Sequence, residues 1–244
     1  MSRYLTQPTP ARRTEETVAA LFVEKGGAYY GLPNVDPWDE ERDARKYAGP
    51  WPVVAHPPCE RWGRSATKGG RRLGDDDACF QAALSALSRF GGVLEHPADS
   101  RAWDAFGLRK PVRSGGWCRV GYRDLWACCV EQGHYGHRAR KATWLLARAP
   151  MDGMGLPLLP ELIWGRAPFE RTRRMREATT EAERRRARRT GVVQNMSKKQ
   201  RRATPPAFRD LLLSIARSAL REGAPAPGAG QGPDADPNPV GGKL

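Results

Sequence analysis

Three successive segments constrain the fold of this chain most: PVVAH (52–56), DDDACFQAALSALSRFGG (75–92) and GVLEHP (92–97). The first is an apolar run of strand length, and the third repeats that character until Pro97 ends it. Between them, Asp75–Asp77 offer an N-cap and a favourable charge for a helix dipole. Phe80, Ala83, Leu84 and Leu87 form one apolar stripe, and Gly91-Gly92 stop the helix. Strand, helix, strand is a βαβ unit, which implies parallel pairing. The expected fold class is therefore α/β: a Rossmann-like, mostly parallel sheet with flanking helices. Ligands of such sheets bind at the carboxyl ends of the strands, so HPPC (56–59) and EHP (95–97) are expected to share one cleft.

LWACCVEQGHYGH (125–137) and KATWLLA (141–147) are two further candidate strands around a turn rich in His, Arg and Lys. The expected organisation has a flexible N-terminus (1–16), a catalytic domain (17–149), a basic, partly helical extension (150–220) and a disordered Pro/Gly-rich tail (221–244). Within the extension, Arg171–Arg189 is expected to be helical with almost no apolar face. TPPAFRDLLLSIARSAL (204–220) reads as an amphipathic helix with a Thr cap and Pro in its first turn.

A net charge of +14 is too basic for an ordinary metabolic enzyme and fits a protein that works against a polyanion. Residues 166–202 hold 14 Lys/Arg against 4 Glu, which is +10 of that total. Intrahelical Glu–Arg pairs leave most of this charge unanswered, so the segment is expected to contact nucleic acid. No run approaches the ~18 apolar residues of a membrane span, and the start lacks the apolar stretch of a secretory signal. Five irregularly spaced cysteines do not form a disulfide pattern. A cytoplasmic location with reduced thiols, and no membrane partner, is the expectation.

Cys59 follows a double proline at a strand exit. It is either an incidental thiol or a nucleophile on a stiff turn, its pKa lowered by His56, Arg61 and Arg64. Cys79 and the Cys128-Cys129 pair read as apolar filler. Glu95, at the mouth of the next strand, is either paired to an arginine or partly desolvated. In the second case its pKa would rise until it could hold a proton near neutrality. The run from His134 to Lys141 could offer metal ligands together with Cys128 and Cys129, but the spacing matches no zinc pattern, so no metal is expected. An anion-binding loop is the better reading.

Taken together, VVAHPPCERWGR, GGVLEHPADSRAW and YGHRARKATWLL resemble a group of phage-encoded proteins related to DNA cytosine-5 methyltransferases. The likeness spans about residues 20–147. It implies that Cys59 adds to cytosine C6 while Glu95 steadies or protonates N3, and that Arg138 and Arg140 contact the base or its phosphate. It also implies S-adenosylmethionine as methyl donor, with Phe22, Gly26 and Gly27 on a glycine-rich turn and Asp36 and Asp43 holding ribose and adenine. The chain departs from the family in FVEKGG, which lacks the full glycine signature. It also has EHP in place of Glu-Asn, and it has no separate target-recognition domain before residue 204. Two other readings stay open: an exocyclic amino-methyltransferase, and a methyltransferase-like fold that binds DNA without catalysis.

Overall fold

The computed structural model describes residues 17–63, 66–67, 70, 72–121, 124–168, 177, 179–188 and 196–219. The expected flexible N-terminus and disordered tail lie outside these residues, as do Arg64 and residues 171–176 of the expected basic helix. Seven strands, β1 (Val18–Leu21), β2 (Val35–Trp38), β3 (Val53–Ala55), β4 (Gly92–Pro97), β5 (Cys118–Arg119), β6 (Leu125–Glu131) and β7 (Ala142–Arg148), form one sheet. Their order is β2-β1-β3-β4-β7-β6-β5. The described helices are α1 (Cys79–Phe90), α2 (Ala102–Ala105), α3 (Glu181–Arg188), α4 (Lys198–Arg202) and α5 (Pro206–Ser218), with 3-10 turns at Ala44–Lys46 and Gln132–Tyr135.

The chain is α/β, but the expected mostly parallel sheet is corrected to a mixed one. The β1–β2, β1–β3 and β3–β4 ladders are parallel, whereas β4–β7, β6–β7 and β5–β6 are antiparallel. The cause is connection length. β3 and β4 are joined through α1, a crossover long enough to return the chain, while β6 and β7 are joined by a short turn that can only reverse it.

Alternation along the strands sends side chains to two cores. Ala19, Leu21, Val53, Ala55, Leu94 and Leu146 meet Phe80, Ala83 and Leu87 of α1 on one face. Val18, Ala20, Val54, Val93 and Leu145 meet Phe208, Leu212 and Ile215 of α5 on the other. Helix α1 starts later than the aspartate run suggests. Asp76 accepts a hydrogen bond from the Phe80 N–H (3.0 Å), while Asp77 and Ala78 are in the left-handed region. Helix α5 opens on Pro206 as expected, but no side chain caps it, Thr204 included. It is also no appendage: it forms the second layer over the sheet. Gly92 is required where β4 meets β3, because its φ is +111° and a Cβ there would lie 2.0 Å from the Val53 carbonyl oxygen.

Since Phe208 is fully buried against the sheet, Phe208→Ala is expected to cost about 3–5 kcal/mol. Urea unfolding followed by tryptophan fluorescence and far-UV circular dichroism should show both signals shifting together. A loss below about 1 kcal/mol would mean that α5 is not part of the core.

Candidate functional site

Strand β1 is flanked by β2 on one side and β3 on the other, and the carboxyl ends of β1 and β3 are where ligands of such sheets bind. The register Ala55↔Leu94 sets His56 beside Glu95, and the His56 N–H extends the ladder by donating to the Leu21 carbonyl at 3.0 Å. HPPC and EHP therefore lie side by side at one strand edge.

A chain of side-chain hydrogen bonds runs across this strand edge. Tyr29 Oη lies 2.8 Å from His56 Nε2, and His56 Nδ1 lies 3.0 Å from Glu95 Oε2. Gln132 Nε2 donates to Glu95 Oε1 (3.1 Å) and to Thr143 Oγ1 (2.9 Å), and Thr143 donates to the Lys141 carbonyl (3.1 Å). Helix α5 closes it from above: Arg209 donates to the Ala28 carbonyl (3.1 Å), and its charge, with that of Asp210, is felt at Tyr29.

The expectation that desolvation raises the Glu95 pKa is overturned. Burial does push it up, but the His56 hydrogen bond, then the charges of Lys141, His56 and His96, outweigh burial and hold the carboxyl down to about 2. An ionised Glu95 only accepts, so the His56 Nδ1–H points at it, and the Tyr29 hydroxyl lies against the opposite ring nitrogen. Tyr29 keeps its proton, because burial and then Glu95 raise its pKa well above the usual value. Next to Glu95, His96 points to the opposite face. It stacks on Trp103 at 6.3 Å and meets Phe80 edge-on at 5.2 Å. Burial lowers its pKa to about 4, against the opposing influence of Glu95 and the Pro58 carbonyl.

Cys59 is exposed at the start of a turn, its carbonyl accepting from the Trp62 N–H at 3.1 Å. The low pKa expected from its neighbours in sequence is also corrected. Surrounding protein, then Glu95, push the thiol above its ordinary value, and the charge that opposes them comes foremost from Lys141. The two arginines singled out by sequence are placed differently from one another. Arg138 is exposed, whereas Arg140 donates to the Ala167 carbonyl (2.9 Å) and lies 3.8 Å from Glu131. Lys141 is the cation whose charge reaches both Cys59 and Glu95. Its backbone is held at φ +42°, a left-handed conformation that costs a lysine on the order of 1–3 kcal/mol.

The residues assigned to a cofactor divide. Phe22, Gly26 and Gly27 lie just beyond the carboxyl end of β1. Phe22 is left-handed (φ +59°), a Cβ on Gly26 would meet nothing within 4 Å, and the Gly27 N–H closes a turn onto the Glu24 carbonyl (2.8 Å). Asp36 and Asp43 are instead committed to arginines. Asp36 accepts from Arg42 (2.6 Å) and Trp38 (2.8 Å), and Arg45 holds the Asp43 carboxyl down to about 2. The acid directly after β2 is Asp39, buried and bonded to the Tyr30 hydroxyl and the Arg42 N–H.

Sequence reasoning missed Tyr29, Gln132, Thr143 and Lys141, and it read His56 only as a charge near Cys59. Pairing the two strand candidates from Gly92 would have put His56 next to Glu95. Gln132 and Thr143 gave no signal, because the fold of the β6–β7 turn alone brings them to Glu95. Among the described residues no group of three or more His, Cys, Asp or Glu is placed to hold a metal ion. No helix among them is long and apolar enough to cross a membrane. No protein-family model matches the chain, and no curated protein matches its sequence.

Two expectations follow from these electrostatics. Protons bound by the unfolded chain but not by the folded one make acid destabilising. The neutral His96 therefore loses stability as pH falls from about 6.5 to about 4, and Glu95 loses it from about 4.5 towards about 2. Urea unfolding across this range should show both windows. Glu95→Gln should abolish the lower one, on the order of 3 kcal/mol, and extend the upper one to lower pH, because the Glu95 charge that raises the His96 pKa is gone. Separately, Lys141→Met should move the pH midpoint of Cys59 alkylation upward, as read by peptide mass spectrometry. An unmoved midpoint would remove Lys141 from the environment of the thiol.

Proposed function

We propose that the protein modifies cytosine in DNA, transferring a methyl group to C5 through a covalent adduct with Cys59. The observation that carries this reading is the juxtaposition of an exposed cysteine turn and an ionised, hydrogen-bonded glutamate at the ends of two adjacent parallel strands, with Lys141 charged towards both. The parallel half of the sheet, with helices on both faces and β1 flanked by β2 and β3, supports a Rossmann-like description of the domain.

In this mechanism the Cys59 proton is lost and its sulfur bonds to C6 of a flipped-out cytosine, making C5 nucleophilic. As sulfur adds, N3 takes a proton from water, which draws electron density away from C6; Glu95, held as an anion by His56 and Gln132, accepts from the N4 amine and from the new N3–H, and the N3 proton returns to water when the adduct breaks. Lys141 lowers the cost of forming the thiolate. After C5 has gained the methyl group, its proton passes to water, the S–C6 bond breaks and the thiolate is regenerated. S-adenosylmethionine would supply the methyl group, and Phe22, Gly26, Gly27 and the buried Asp39 are the residues that would hold it. Asp36 and Asp43 fit less well because of their arginine partners. The basic segment 166–202 binds the DNA through its phosphates.

One observation favours the non-catalytic DNA-binding reading: the free thiol is raised in pKa, not lowered. The two are separated by nucleoside mass spectrometry of DNA from cells that produce the wild type or Cys59→Ser. A modified cytosine with the wild type alone is the expected result. No new nucleoside with either, from a protein that still binds DNA, would favour binding without catalysis, and a modified adenine would move the case to amino-methyl transfer.

A further inference from the structure

Helix α4 reads KKQRR, four cations in five residues, and it is fixed at the edge of the candidate site. The Arg202 guanidinium pairs with the Glu60 carboxylate, 142 positions away in sequence and next to Cys59. The backbone of Gln200 faces the His137 ring, in the loop that carries Arg138 and Lys141. Ser197 and Gln200 bond reciprocally at the start of the helix, and Pro205 lies against Gly136 at its exit. The anchoring of α4 thus does not depend on Glu60.

An acid at this place works against the surroundings. It opposes the approach of a polyanion to a strongly basic surface, and its charge helps to raise the Cys59 pKa. Both partners of the pair are more than half exposed (side chains 60% and 53%), so the bond is weak and exchanges readily. Arginine holds a phosphate in the same two-pronged way as it holds a carboxylate. We infer that Glu60 occupies the place of a substrate phosphate: a phosphate of the bound strand displaces it from Arg202, which lays the strand across the turn that carries Cys59. This rests on the nucleic-acid reading above and deepens it. The substrate is then a polynucleotide seated by a phosphate beside the reacting base, not a free nucleotide.

The test is fluorescence anisotropy with a labelled oligonucleotide over a salt series, using wild type, Glu60→Gln, Arg202→Gln and the double variant. Glu60→Gln should bind about threefold more tightly, the equivalent of one exposed ion pair. Arg202→Gln should bind more weakly, its salt slope shallower by about 0.7–0.9. In the Arg202→Gln background the gain from Glu60→Gln should vanish. A gain that persists there is a general charge effect and overturns the exchange, as does an unchanged affinity of Glu60→Gln. Failure of the wild type to bind at all would overturn the nucleic-acid reading itself, a result distinct from these.

Discussion

Burying the Glu95 carboxylate on the α5 face obliges the elements around it to bring hydrogen-bond donors there, because an ionised group removed from water is tolerated only when it is paired. β3 supplies His56, the turn after β6 supplies Gln132, and β7 supplies the Thr143 hydroxyl that steadies Gln132. The loop after β1 contributes Tyr29, which fixes the far side of the imidazole. One carboxylate therefore ties together four segments that the sheet alone would leave independent at their ends. Both of its oxygens are already engaged before any ligand arrives, so the group is oriented in advance rather than recruited.

Cys59 is placed by a different device. Trp62, buried three residues on, donates its indole N–H to Asp76 (2.8 Å) and its backbone N–H to the Cys59 carbonyl, and its own carbonyl accepts from the Arg101 N–H (3.0 Å). Phe80 and Phe106 pack against its ring, and a Cβ on Gly74 would lie 2.7 Å from it. The cysteine turn is thus held from below by an aromatic anchor, and Pro57 and Pro58 only narrow the path into it. Asp76 serves two ends at once, starting α1 and holding Trp62, which couples the helix of the βαβ unit to the shape of the loop preceding it.

Local sequence carried a good deal of this. The runs 53–55, 92–97 and 142–148 are strands because they are apolar and bounded by Pro, Gly or charge, and α1 follows from its stripe. The neighbouring placement of Cys59 and Glu95 followed from the parallel pairing. What local pattern could not carry was anything set by a partner distant in the chain. Whether a buried carboxylate is protonated depends on the donors that fold against it, so local pattern left the charge state of Glu95 open between a paired and a desolvated group. The same holds for α5: amphipathicity announced a helix with something to bury, but not that its target lay on β1, β3 and β4. Cationic character in HRARK was plain, yet only the turn geometry separates Arg140, spent on Ala167 and Glu131, from Lys141, whose charge reaches Glu95.

The docking of α5 also bears on the order in which the protein can be made. The ribosome releases all seven strands before residues 206–218, so a growing chain holds a sheet covered by α1 on one face while Val54, Val93 and Leu145 on the other stay bare. Through that interval the Glu95 side of the sheet lacks its roof, and unassembled apolar surface of this kind is prone to associate with other chains. Completion waits on the last of the described helices. A premature stop anywhere before Pro206 would thus yield a sheet open to solvent on one face instead of a smaller working domain.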